Sequence, residues 1–363
     1  MIPLYEPNIM SKDINEVTKS LKAKNLSGAS KTISDFEENF SEKYNFKYSL
    51  AINNGTSALH LGLLAIGIKK DDEVIIPSLT FIATANAVSY IGAKPVIVDV
   101  DPETYQISIE EINKNISKKT KAIIPVHLYG NCPDLKKIDK IAKRYNLKVL
   151  NDAAEALGTE YLNKSSGSYG DVATYSFYPN KIITTGEGGM LVTKSKQIYE
   201  KAKNLRGQGL SPGTNEYIHD ALGYNYRMSA LSASLGISQL KKVDNFLERK
   251  IDIFELYKKN FETKKIEFIK TEPNVKNSQW LTVVNLKNHK LNINDLRNYL
   301  FKEGIETKKV FYPIDRQKIY SRRNKCLNSF NLYRSSLCLP SFPDLSNNQV
   351  NFISNKIKSF LSY

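Results

Sequence analysis

The chain has 363 residues, 41% of them apolar, and a formal charge of +15; this is enough for one large domain plus a smaller one around a substantial core, which excludes intrinsic disorder. The basic excess is spread through short runs such as "IKK", "SKKT", "LKK" and "RRNK", so it reads as a solvated face that also draws anionic substrates, and no zinc-finger or RNA-recognition signature supports a nucleic-acid partner. No segment nears the about 20 apolar residues that span a bilayer, "MIPLYEPNIMSKD" has no signal-peptide pattern, and Cys132, Cys326 and Cys338 lack disulfide or zinc spacing, so a cytoplasmic protein with reduced thiols, no metal and no membrane partner is expected.

Roughly the first thirty residues read as an arm outside the pattern that follows. From Tyr48 to Thr193 short β-branched runs alternate with longer helical segments. The strand candidates are "YSLAIN", "DEVIIPS", "KPVIVDV", "KAIIPVHLY", "LKVLND", "ATYSFY" and "GGMLVT". Helix candidates between them are "SALHLGLLAIG", "FIATANAVSYIG" and "PDLKKIDKIAKRYN", the last with Leu135, Ile138, Ile141, Ala142 and Tyr145 on one face. Such alternation predicts an α/β domain with a mostly parallel, doubly covered sheet.

After Thr193 the alternation stops. A polar stretch, "RGQGLSPGTNEYIHD", leads into a helical pattern, "MSALSASLGISQLKKVDNFLERKIDIFELYKKNF", long enough for one bridging helix or two abutting ones. From about Thr263 a small α+β domain is expected, with a strand in "QWLTVVNL" and a closing helix. Ser346 and Gln349 offer that helix a capping box, and Val350, Ile353, Ile357 and Phe360 its buried face.

Ligands of open α/β sheets bind beyond the carboxyl ends of the strands, so residues just after each strand carry the functional signal. Gly55, Thr56 and Ser57 follow "SLAIN" and open a helix, which makes either an anion site or an ordinary N-cap. Phe81 follows "VIIPS" and could end a strand facing a cleft, although a core aromatic is the commoner role. Asp152 ends "LKVLND", placed for a buried cationic partner or an exposed helix cap. Lys181 lies in "SFYPNKIITTGEGGMLVT" between a strand and a glycine cluster; the lysine precedes the glycines, so this is no Walker P-loop. A lysine to form an imine, an aspartate for a ring nitrogen, a platform ring and a phosphate-binding helix start are together the parts of a pyridoxal phosphate site.

The chain resembles the pyridoxal-phosphate sugar aminotransferases of the DegT/DnrJ/StrS type, which have the aspartate-aminotransferase fold (fold type I). The resemblance runs from "IPLYEPNI" through "NNGTSALHLGLLAIG", "DEVIIPSLTFIATANAVSYIGAKPVIVDVDPETY", "KAIIPVHLYG", "DAAEALG", "SFYPNKIITTGEGGM" and "LRGQGLSP" to "LGYNYRMSALSASLGISQL", about two-thirds of the chain. It implies an arm and large cofactor domain over 1–245 and a small α+β domain over 246–363. Lys181 is then the Schiff-base lysine and Asp152 the partner of the pyridine nitrogen. Phe81 stacks on the ring, where many relatives have Tyr or Trp. Gly55, Thr56, Ser57 and Ser176 bind the phosphate, and Glu155 lies near the ring hydroxyl. Asn225 matches an asparagine lent to the phosphate of a neighbouring subunit, so a homodimer with interfacial sites is implied. Tyr312 and Arg227 are the expected substrate contacts.

Two stretches depart from the family pattern. "NDAAE" stands where relatives have "EDAAE", and "VFYPIDRQKIY" where many carry "VFHPMH…PPY". The implied reaction moves an amino group, glutamate the expected donor, onto an anionic keto acceptor through the pyridoxamine form of the cofactor. A 4-keto-6-deoxy nucleotide sugar for surface polysaccharide, capsule or lipopolysaccharide is the expected acceptor. The altered stretch and its cations Lys308, Lys309 and Arg316 motivate a second reading, a smaller phosphorylated ketone. A sugar dehydratase of the same fold replaces the lysine by histidine, and some need a four-cysteine iron–sulfur cluster; this chain keeps Lys181 and has three scattered cysteines.

Overall fold

The computed structural model describes residues 1–211, 213, 216–261, 265–286, 292–321 and 326–362. Pro212, Thr214 and Asn215 of the polar stretch, Thr263 and the run "RRNK" lie outside the described residues. The N-terminal arm forms two helices, α1 (Ser11–Lys22) and α2 (Lys31–Tyr44). Ser30 Oγ caps α2 by accepting from the Thr32 amide, and Ile33, Phe36 and Phe40 form its buried face.

The alternating region follows as β1 (Tyr48–Ile52), α3 (Gly55–Ala65), β2 (Glu73–Pro77), α4 (Ala83–Tyr90), β3 (Lys94–Val98), α5 (Ile109–Asn115), β4 (Thr120–Ile123), α6 (Leu135–Tyr145) and β5 (Lys148–Asp152). A small hairpin, β6 (Glu160–Tyr161) and β7 (Lys164–Ser165), precedes β8 (Val172–Ser176) and β9 (Gly189–Thr193). All seven expected strands enter one sheet, in the order β1-β9-β8-β5-β4-β2-β3. Only β9 runs against its neighbours, β1 and β8; the other pairs are parallel. The strand expected in "KAIIPVHLY" breaks off at Ile123, where Pro125 has no amide to give the ladder, and pairing resumes in a bridge from Val126 to Asp152. On α6, Tyr145 is 40% exposed rather than on the buried face, because the helix ends there at Asn146 in a left-handed conformation.

The alternation does not stop at Thr193, since α7 (Lys196–Arg206) covers the sheet. The long helical pattern is two abutting helices, α8 (Ala230–Leu240) and α9 (Val243–Asn260). Both arm helices pack on α8, where a Cβ on Gly236 would come within 2.7 Å of the Phe36 ring. Next come β10 (Ile266–Phe268), β11 (Val275–Lys276), β12 (Thr282–Leu286), α10 (Ile293–Lys302), β13 (Lys308–Lys309), α11 (Leu327–Ser335), β14 (Ser336–Leu339) and α12 (Asn347–Ser362). A four-stranded antiparallel sheet, β10-β12-β14-β13, carries a second core that includes Ile253, Val284, Leu296, Leu337 and Ile353. The capping box before α12 is formed: Ser346 Oγ accepts from the Gln349 amide and Gln349 Oε1 from the Ser346 amide.

The two cores are not insulated from each other. Trp280, Leu281, Val283 and Val310 belong to the first core although they lie in or beside strands of the second sheet. Side chains from the small sheet thereby reach the edge of the large one. Among the described residues no helix is long and apolar enough to cross a membrane, and no His/Cys/Asp/Glu group could hold a metal. The three cysteines are buried free thiols.

Candidate active site

β1, β5 and β8 all end on one edge of the large sheet, at Ile52, Asp152 and Ser176. β9 begins there, with Gly189 opposite both Ile52 and Ser176. A Cβ on Gly189 would lie 2.8 Å from the Asn54 backbone and 2.9 Å from the Tyr175 carbonyl oxygen, so only glycine lets the strands close over this point. Just beyond, α3 starts. Its N-cap is Asn54, whose Oδ1 accepts from the Ser57 amide at 2.8 Å. Because the capping oxygen comes from Asn54, Gly55, Thr56 and Ser57 are the first helical turn rather than the cap. A Cβ on Gly55 would sit 2.9 Å from Ser176 Cβ, so the helix start and the end of β8 form one cradle. The amides of a helix's first turn and its dipole suit such a cradle to an anion.

Lys181 projects from the β8–β9 connection, a loop pinned by the Phe177 amide on Gly188, the Thr185 amide on Phe177 and the Lys181 amide on Tyr178. Its side chain is 13% exposed, and Nζ stands 3.6 Å from Glu155 Oε1. Burial lowers the lysine's pKa, and Glu155 and Asp152 act in the opposite direction. Burial also raises Glu155 to about 7, against the pull of Lys181 and of the Tyr129 amide, which donates to Oε2 at 3.1 Å. Asp152, at the end of β5, is raised by burial as well. Its oxygens accept from Thr84 Oγ1 at 2.8 Å and from the Ala154 amide at 3.2 Å. Asp152 is thus a buried carboxylate with hydrogen bonds from neutral donors and, among the described residues, no cation bonded to it, an acceptor suited to a positively charged N–H.

The departure at "NDAAE" lies behind this group. Asn151 is buried, with Nδ2 donating to the Tyr169 carbonyl and Oδ1 bonded to His127 Nε2 at 3.1 Å. Burial takes His127 down to about 4, so the imidazole is neutral and donates to Asn151. The residue supports β5 from below, away from Lys181.

A row of rings, of which the sequence reading holds only Phe81, closes the other side. Trp280 lies under Lys181 with Nζ 4.1 Å from its ring centroid. Tyr129 stacks on Trp280 at 6.0 Å, Phe311 stacks on Tyr129 at 5.9 Å, and Phe81 meets Phe311 at 6.0 Å. Phe81 does not end a strand: it stands four residues after β2 and is 58% exposed, its ring at the mouth of the site. Tyr129 holds a left-handed backbone (φ 56°), which places its amide on Glu155 and its ring on Trp280. Trp280 carried one usable signal, as the sole tryptophan of the chain.

Within one chain the two expected substrate contacts fall elsewhere. Tyr312 turns its ring edge-on to Tyr333 at 5.0 Å, while its neighbour Phe311 joins the row of rings. Successive residues of an extended segment face opposite ways, which puts Phe311 inside and Tyr312 outside. Arg227 packs over Gly28 and Gly207, where a Cβ on Gly207 would meet its guanidinium at 2.5 Å. Asn225 is exposed, and its carbonyl bonds Asn53 two residues before α3.

A small cofactor that needs an amine, a carboxylate poised for a cationic N–H, and an anion cradle on one sheet edge is pyridoxal phosphate. The residues present fit it on all three counts, and the molecule is a pyridoxal-phosphate-dependent enzyme of fold type I. More narrowly, the chain belongs to the DegT/DnrJ/EryC1/StrS aminotransferase family, whose model it matches over residues 7–358. It is 42% identical over 362 residues to the GDP-perosamine synthase of Escherichia coli O157:H7, covering 99% of both chains. Its fold superposes on Helicobacter pylori PseC, an aminotransferase of pseudoaminic acid biosynthesis, with a TM-score of 0.93 at 28% identity over 99% and 98% of the two chains. The pyridoxal phosphate form of Streptococcus pneumoniae Spr1654 gives 0.92 at 26% identity, again over 99% and 98%.

Proposed function

We propose that the enzyme moves an amino group from glutamate to the ketone of a 4-keto-6-deoxy nucleotide sugar, in surface polysaccharide biosynthesis. The observation that carries this reading is the whole-length similarity to a GDP-perosamine synthase. Pyridoxal phosphate, when bound, supplies an aldehyde for the amino group and a ring that accepts the electron pair left by a departing proton. Lys181 Nζ is the group that binds the aldehyde and, once displaced by the donor, the base that takes the proton from the donor's α-carbon. With the cofactor bound, Asp152 would accept from the ring nitrogen and hold its proton, and Glu155 would be the carboxyl on the side of the ring hydroxyl. Phe81 covers the ring. The cradle of Gly55, Thr56, Ser57 and Ser176 holds the phosphate, with Asn225 of the partner subunit completing it in a homodimer. The buried setting of Lys181 favours its neutral, proton-accepting form and excludes water from the reacting carbon.

The smaller phosphoketone has no observation in its favour. Two of the cations that motivated it lie over rings, Lys309 over Tyr333 at 3.7 Å and Arg316 over Phe330 at 3.6 Å. Incubation with glutamate and a panel of GDP-, UDP- and dTDP-linked 4-keto-6-deoxy sugars and phosphoketones, read by mass spectrometry, tests the reading. An aminated nucleotide sugar is expected; amination confined to the phosphoketones would overturn it.

A further inference from the structure

We propose that Trp280 is a positioning residue for Lys181: its ring is the seat of the lysine ammonium whenever that lysine is not bonded to the cofactor. Nζ lies 4.1 Å from the ring centroid, inside the range of a cation–π contact. At 3.6 Å, Glu155 attracts the ammonium but is too far to fix it by a hydrogen bond. The ring is itself immobile. Trp280 is 3% exposed, its Nε1–H donates to the Asn180 carbonyl at 2.6 Å, and Tyr129 stacks on it with planes 12° apart. Since Asn180 directly precedes Lys181, indole and lysine backbone are locked into one unit. The seat comes from the segment leading into β12, so the small sheet, not the large one, decides where the free amine rests. A π face also attracts the ammonium without accepting its protons, which leaves Nζ able to give one up or take one back.

Among the described residues the charged groups acting on Nζ are Glu155 and Asp152. Both remain in a Trp280 variant, so the ring's contribution can be isolated. The inference rests on the reading of Lys181 as the cofactor lysine, which borohydride reduction of the holoenzyme and peptide mapping check separately. Trp280 is the sole tryptophan, so the fluorescence of the cofactor-free full chain under tryptophan-selective excitation, which leaves the 21 tyrosines dark, reports on this ring. A pH transition is expected in the wild type and should vanish in Lys181→Met. Amine-reactive labelling of Lys181 against pH gives a second readout. In Trp280→Leu the midpoint should fall by about one pH unit, with Trp280→Phe in between. Mere loosening of the pocket would admit water and move the midpoint upward instead. A fluorescence profile unchanged in Lys181→Met, or a labelling midpoint that does not fall in Trp280→Leu, overturns the proposal; if Trp280→Leu fails to fold, the Lys181→Met comparison decides alone. Cofactor trapped on Lys181 together with unchanged fluorescence would sink this inference and leave the functional reading intact, whereas cofactor trapped on another lysine would sink both.

Discussion

Lys181, Glu155 and Asp152 share a dry pocket, and each is shifted toward its neutral form by burial. Replacing Lys181 by alanine should lower transamination by about three orders of magnitude or more, measured as aminated product by mass spectrometry, because the variant lacks the amine assigned to move the proton. Glu155 gives a pH signature of its own. Its pKa in the fold is about 7, above the ordinary 4.5, so between those values the folded chain keeps a proton that the unfolded chain has released. Stability therefore falls as pH rises through that window. In cofactor-free protein, thermal melts of wild type and Glu155→Gln should diverge from about pH 4.5 to 7, the wild type losing ground, and then run parallel. A gap that does not change with pH would show that Glu155 is not buried as described. Tyr129 and Phe311 could not be foreseen at this scale, and Trp280 only from being the sole tryptophan: an aromatic in a sequence looks alike whether it lines a core or a site.

At the scale of elements, the cradle depends on a helix start held against a strand end. Asn54→Ala removes the cap of α3 and should cost about 1 kcal/mol in denaturant unfolding. The same variant loosens the anion site, so equilibrium dialysis should show weaker cofactor binding. Gly189→Ala should be the more damaging change, by roughly 2–3 kcal/mol, because its methyl meets backbone atoms that cannot move aside. All seven strands of the sheet were legible from their β-branched runs, and the capping box of α12 from two residues. The helices α5 and α7 were not, for a physical reason. On α7 Ala202 is buried with Ile198, Tyr199 and Leu205 half-buried beside it, and on α5 Ile112 is buried with Ile109 beside it, so each apolar stripe is short and set among charged residues. The long pattern after Met228 left one helix or two abutting ones open, since two abutting helices repeat with the same period as one; the break falls at Lys241 and Lys242.

For the whole molecule the testable claim is a site completed across two subunits. Asn225 is not gathered into the row of rings around Lys181 of its own chain, as expected if it serves the partner's site. Lys181→Ala and Asn225→Ala proteins, each inactive alone, should on subunit exchange recover about a quarter of wild-type activity, because half the dimers would be hybrids with one intact site of two. Activity no greater than the sum of the parents would argue for self-contained sites. The sequence by itself determined the alternation of strands and helices, and with it the sheet edge on which Lys181, Asp152 and the start of α3 meet. Those features follow from local periodicity and from the rule that ligands lie beyond strand ends. Only the tertiary structure decided what faces the lysine. Tyr129, Trp280 and Phe311 are brought together from positions far apart in the chain, in a core that side chains of the small sheet join. Contacts of that kind leave no local pattern, because they depend on how two sheets pack and not on the spacing of residues along either one.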